Sequence, residues 1–220
     1  MKIKVLYEDS NIFAIDKPSG IMVHPDERSK EKTILDLFIK KYPKVEVVHR
    51  LDKDTSGVML LAKNKKAHEF LKHQFQERTI KKIYNAIVSG SVKHDRGIIN
   101  KPIGRSPKDF RRWLAGRGAR GELRDAVTDY KVLKRFTDKG IKFTYLEVKP
   151  KTGRTHQIRV HMKFLNHPVA CDPLYNPDSP KPTGFKRLAL HAASIEFKNL
   201  AGKTIKIESP LPLEFKKILK

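Results

Sequence analysis

The run His49-Arg50-Leu51-Asp52-Lys53-Asp54-Thr55-Ser56-Gly57 places a carboxylate beside a guanidinium in a polar turn. The turn feeds directly into the apolar stretch Val58-Met59-Leu60-Leu61-Ala62. An ionised aspartate there can attack an electrophilic carbon as a nucleophile or withdraw a proton as a base. Covering a carboxylate with a bound ligand disfavours its charge, and a guanidinium within reach opposes that, typically lowering an aspartate pKa by about 1–3. Arg50 can serve, because alternate residues of an extended turn face the same side.

The same residues have blander uses. Asp52, Asp54, Ser56 and Gly57 match the first half of a calcium loop, but its twelfth position needs a bidentate glutamate and here holds Lys63. An aspartate that only caps its own turn is the other alternative.

Elements on either side must hold this turn. Apolar and β-branched runs predict strands at 3–7 and 12–16, followed by a tight turn at Lys17-Pro18-Ser19-Gly20. Thr33 and Asp36 have capping-box spacing, predicting a helix over 34–42 that stops before Pro43. Asn64 is placed to cap a second helix with Ala67, Phe70, Leu71 and Phe75 on one face. Strand patterns return at 83–88, 129–133, 143–149, 188–197 and 204–207. Gly153-Arg154-Thr155 precedes a helix on which Ile158, His161, Met162 and Leu165 share a face. Strands dominate, which predicts an α+β fold: one domain over 1–220, with a mixed, largely antiparallel sheet flanked by helices and loops.

The charge balance narrows the partners. Lys and Arg number 47 against 24 Asp and Glu, a net +23 that points to a polyanion, with nucleic acid foremost. Part of the excess lies in a basic insertion at about 101–126, where Arg111, Arg112, Arg117 and Arg120 accompany Phe110, Trp113, Gly116, Gly118 and Gly121. It reads as a flexible arm able to order on nucleic acid, the alternative being a solvated loop. No apolar run approaches the roughly 20 residues that span a membrane. Cys171 is the single cysteine, so no intrachain disulfide forms, and the chain starts without a signal-peptide core. Both features lead to the expectation of a cytoplasmic protein. His156 and His161 are five apart, Cys171 has no partner at metal-site spacing, and no Gly-rich loop ends in Lys-Ser/Thr. Neither a metal nor a nucleotide cofactor is expected.

Several segments together resemble the RNA pseudouridine synthases of the large-subunit and tRNA branch (RluA-like). Lys17 to Gly20 with Val23-His24-Pro25 is similar to that family's opening motif, and His49 to Gly57 to its catalytic loop. Lys81-Lys82-Ile83-Tyr84-Asn85-Ala86 resembles its tyrosine strand. Thr152 to Met162, followed by Asp172-Pro173-Leu174-Tyr175, resembles its arginine motif, and Leu188 to Ala192 its closing strand. The resemblance covers nearly the whole chain in the family's order. It implies one α/β catalytic domain acting on ribosomal RNA, tRNA or both; the separate N-terminal RNA-binding module that many members carry is not expected here, and a monomer is. It assigns Asp52 as the essential aspartate, Arg159 as its guanidinium partner, Tyr84 as the ring that stacks on the target base, and Arg50 as the side chain replacing the displaced uridine. Lys151, Arg154 and the arginines of the insertion would bind phosphates. No cofactor is implied, since the isomerisation gains and loses no atom. A non-catalytic RNA-binding or assembly protein on the same fold is one alternative, and a nucleic-acid glycosylase another.

Overall fold

The computed structural model describes residues 3–25, 31–116 and 118–220. In chain order its elements begin with β1 (Lys4–Glu8), β2 (Ile12–Lys17), α1 (Ile34–Phe38), β3 (Glu46–Val47), β4 (Ser56–Ala62) and α2 (Lys65–Gln76). There follow β5 (Lys81–Ser89), β6 (Arg96–Asn100), β7 (Ile103–Arg105), β8 (Trp113–Ala115), β9 (Arg120–Arg124), β10 (Val127–Asp138) and β11 (Ile141–Pro150). The last are α3 (Gln157–Phe164), β12 (Leu190–Lys198), β13 (Thr204–Glu208) and α4 (Leu213–Leu219). The class is α+β, with mixed-sheet architecture and few helices, as the periodicities predict. The chain divides into two compact units, Met1–Lys82 with Ala192–Pro210, and Ile83–His191 with Leu211–Lys220.

In the first unit the strands neighbour one another as β1-β2-β4-β12, with β3 beside β4 and β13 beside β12. Every residue of β4 is buried, and β2 is nearly so. That explains why both read as apolar runs without alternation: each is covered on two faces. Asn64 caps α2 by accepting the Ala67 N–H at 3.0 Å. The buried Gln74 of that helix donates to Lys198 O and accepts Lys198 N–H, both at 2.9 Å, so its amide carries no desolvation penalty. The capping box at Thr33 and Asp36 is present, but α1 ends at Phe38 rather than Tyr42. Both Lys41 and Tyr42 N–H groups turn back to Phe38 O. Pro43 disfavours helical geometry in the residue before it, and the last turn tightens accordingly.

The second unit holds the order β5-β11-β10-β6, each pair antiparallel. Its core gathers Ile87, Val88, Phe143, Leu146, Val148, Met162 and Phe215, among others. Phe215, on α4, is fully buried with its ring 5.0 Å from that of Phe185. The segment expected as a flexible arm is folded, forming the sheet β8-β7-β9. Ile103, Ala115, Ala126, Val160 and Tyr175 build a small core beneath it, with Trp113 and Leu174 alongside. A Cβ on Gly104 would lie 2.7 Å from the end of the Leu123 side chain and 3.1 Å from Arg120 O, so a larger residue there would push Leu123 aside.

Candidate active site

Asp52 sits half-buried on the turn before β4, between buried Leu51 and buried Thr55. The opening motif holds this turn by its carbonyls. Lys17 is fully buried and its Nζ donates to Pro18 O at 3.0 Å, Lys53 O at 2.9 Å and Thr55 O at 2.9 Å. Ser19 Oγ donates to Asp54 O at 2.7 Å, and Gly20 N–H to Lys53 O at 2.9 Å. Turning these carbonyls inward fixes the backbone from Lys53 to Thr55, immediately after Asp52. A buried ammonium is tolerated only with acceptors arranged around it, which the turn supplies. Gly57, at φ +115°, closes the turn; a Cβ there would meet Ala192 O at 2.2 Å, so no other residue fits without moving β12.

His49 anchors the other end. Its Nε2 accepts the Leu60 N–H at 2.9 Å, and its ring lies 4.8 Å from that of Phe75. Burial first, and then the charge of Lys82, push its pKa down to about 3, so the ring is neutral at ordinary pH. The Lys82 ammonium is itself pushed down to about 8 by burial. His49 in the unfolded chain titrates near its ordinary value, about 6.5. Its contribution to stability is therefore complete above about pH 6.5 and is lost as pH falls towards 3; by pH 4.5 the loss is about 2–3 kcal/mol. Denaturant titrations at pH 7 and 4.5 check this. His49→Gln, which keeps an acceptor for Leu60, should lose less stability than the parent over that interval, and an equal loss would refute the assignment. Arg50 is exposed; together with partial burial it pushes the pKa of His24 down, which puts the guanidinium near the opening motif.

In the second unit Tyr84 is half-buried on β5, opposite Val148 of β11, and leans on the apolar core. Arg159 is buried on α3, where its Nε and Nη2 donate to Asp172 Oδ2 at 2.7 Å and Oδ1 at 2.8 Å. Asp172 Oδ1 also accepts the N–H groups of Leu174 and Tyr175. The sequence reading gives Asp172 no role, although it notes the Asp-Pro-Leu-Tyr run.

The turn before α3 is equally fixed. Gln157 Oε1 accepts from Thr152 Oγ1 and Arg154 N–H, while its Nε2 donates to Val127 O and Thr128 Oγ1. His161 donates from Nε2 to Lys101 O and accepts the Thr128 hydroxyl at Nδ1. Its imidazole is engaged in holding the helix, as is His156, whose Nδ1 lies 3.0 Å from Tyr175 Oη. The expected phosphate ligands are exposed or half-buried and mostly engaged. Lys151 pairs with Asp129 at 3.2 Å, and Arg154 donates to Asp125 O. Arg111 grips Asp109 with two nitrogens, and Arg112 Nε lies 3.5 Å from the same carboxylate. Exposed pairs of this kind are worth about 0–1 kcal/mol and can be exchanged for a phosphate. Arg120 is exposed at the start of β9, and Arg117 lies outside the described residues.

The fold is that of the pseudouridine synthases. It matches the human RNA pseudouridylate synthase domain containing 1 with TM-score 0.83 and 26% identity over 96% of this chain and 84% of that one. The corresponding figures for human domain containing 4 are 0.78, 27%, 98% and 91%. The family model for RNA pseudouridylate synthase matches residues 11–164, and the chain belongs to that family. It is 38% identical to the uncharacterized RNA pseudouridine synthase YlyB of Bacillus subtilis (strain 168), over 100% of this chain and 72% of that protein. It is 40% identical to the ribosomal large subunit pseudouridine synthase D of Pseudomonas aeruginosa, over 98% and 70%. The chain is thus an RNA pseudouridine synthase, an isomerase with RNA as substrate.

Proposed function

We propose that this enzyme isomerises specific uridines of structured RNA, with large-subunit ribosomal RNA favoured over tRNA and Asp52 as the essential carboxylate. The observation that supports it most is the buried clamp of Lys17 and Ser19 on the carbonyls of Lys53, Asp54 and Thr55, which fixes the turn immediately after Asp52. Several relatives carry the name of ribosomal large subunit pseudouridine synthase D, which favours the ribosomal substrate. The reaction breaks the C1′–N1 bond and forms C1′–C5; the hydrogen on C5 leaves as a proton and N1 gains one, so the mass is unchanged. Asp52 opens it either as the nucleophile at C1′ or as the base on the ribose.

A base within structured RNA must leave its stack, at a cost of a few kcal/mol. Tyr84 offsets part of this by stacking, worth about 1–3 kcal/mol, and Arg50 fills the place the uridine vacates. Arg159 supplies the positive charge that favours an ionised Asp52. Lys151, Arg154, Arg111, Arg112, Arg117 and Arg120 take phosphates, exchanging their internal partners where they have them. The whole chain acts as one catalytic domain, as a cytoplasmic monomer and without a cofactor.

The test uses an unmodified large-subunit RNA transcript tritiated at uridine C5. Tritium should pass to water while the RNA keeps its mass. Tritium leaving as free uracil would make the protein a glycosylase, and no release from any transcript or tRNA would leave only binding.

A further inference from the structure

The hairpin between β7 and β8 is built to hold its tip in one conformation. Ser106 N–H donates to Arg112 O at 3.0 Å, and Arg112 N–H to Asp109 O at 2.9 Å. Ser106 Oγ accepts the Lys108 and Asp109 N–H groups, and Arg105 Nη1 donates to Phe110 O at 2.9 Å. Arg105 in turn lies 4.3 Å above the Trp113 ring. All of these bonds fix backbone or cations. None involves the ring of Phe110, which is 70% exposed at the tip.

Scattered exposed apolar residues are ordinary and need no explanation. Ile98 and Leu213 are as exposed as Phe110, but neither is aromatic. Phe110 differs from both in its setting, with Lys108, Arg111 and Arg112 beside it in the chain, Arg105 bonded to its carbonyl, and one carboxylate, Asp109, paired with Arg111 and Arg112. A flat apolar face beside a net excess of cations is complementary to a nucleobase whose backbone phosphates lie alongside and can displace Asp109 from its arginines. A paired base offers no free face, so the occupant must be unpaired RNA.

We propose that Phe110 is a stacking post for an unpaired RNA base other than the reacting uridine, with Arg111 and Arg112 on the adjoining phosphates. This rests on the reading of RNA as substrate and adds to it a second place where a base is gripped. Because the tip is already ordered, binding there carries little cost of fixing the loop. The post selects RNA regions that present an unstacked nucleotide to this hairpin, and so helps decide which RNAs are held.

The experiment measures affinity of the full chain for a short oligouridylate and for the same strand made abasic. Trp113 is the only tryptophan, and its emission reports events at this hairpin. Phe110→Ala should weaken oligouridylate roughly 5- to 150-fold, the effect of removing one base–aromatic stack, and leave the abasic strand unchanged. Phe110→Trp should bind within about threefold of the parent. The slope of log affinity against log salt should stay constant in Phe110→Ala, whereas Arg111→Ala should reduce it by roughly 0.7. A Phe110→Ala protein that binds oligouridylate within about twofold overturns the post, as does an equal loss on both strands. Tritium release by the parent separates the two readings: if release occurs and Phe110→Ala binds normally, the isomerase reading stands and the post alone falls.

Discussion

Asp52→Asn is expected to abolish pseudouridine formation while RNA affinity stays within a few-fold and the denaturation midpoint does not move. The amide has nearly the shape of the carboxylate but is neither a usable nucleophile nor a base, so every route through this side chain is closed. The turn should survive because its clamps seize backbone, namely the carbonyls of Lys53, Asp54 and Thr55, and not the side chain being changed. Tritium release measures the activity, and filter binding of the same transcript measures the affinity. Turnover at the parent's rate would remove Asp52 from the reaction. A large loss of affinity would make it a binding residue instead.

The second large effect is on stability. Asp172→Ala should destabilise the protein by about 3–5 kcal/mol, the usual cost of breaking a buried ion pair by removing one member. Asp172 is fully buried, and its carboxylate takes two bonds from Arg159 and two backbone N–H groups from the turn that follows. The loss is a large share of the 5–15 kcal/mol by which domains are commonly stable. Asp172→Asn, which keeps an acceptor without the charge, should fall between parent and alanine variant. Urea denaturation orders the three. A midpoint for Asp172→Ala equal to the parent's would mean that the guanidinium is held without this pair.

Much of the architecture was legible in the chain. The Thr33–Asp36 and Asn64 caps, the apolar runs of β2 and β4, and the strand signals at 129–133 and 143–149 within β10 and β11 all act locally, and local signals survive in a single sequence. The turn bearing Asp52 was legible as well, because its polar residues abut an apolar strand. The sheet β8-β7-β9 was hidden by composition: its strands are three to five residues long, charged and glycine-rich. What orders them is a small core shared with Val160 and Tyr175, distant in the sequence. Helix α4 left a faint trace in Phe215, Ile218 and Leu219 at helical spacing, too short to weigh alone. The clamp by Lys17 could not be read, since a lysine in a Lys-Pro turn ordinarily faces water. Its burial against three carbonyls is a tertiary fact, as is the Arg159–Asp172 pair.

Gly57 has a consequence for how the enzyme comes into being. The backbone of Ala192 occupies the space where a side chain at 57 would stand, so the seat of the Asp52 turn is completed by a strand made far later in translation. A nascent chain can fold the turn's upstream partners early, yet it must wait for β12 before that seat is whole. The turn is therefore completed only after Ala192 has been made, and a ribosome-stalled fragment ending before it would lack the strand that seats residues 52–57.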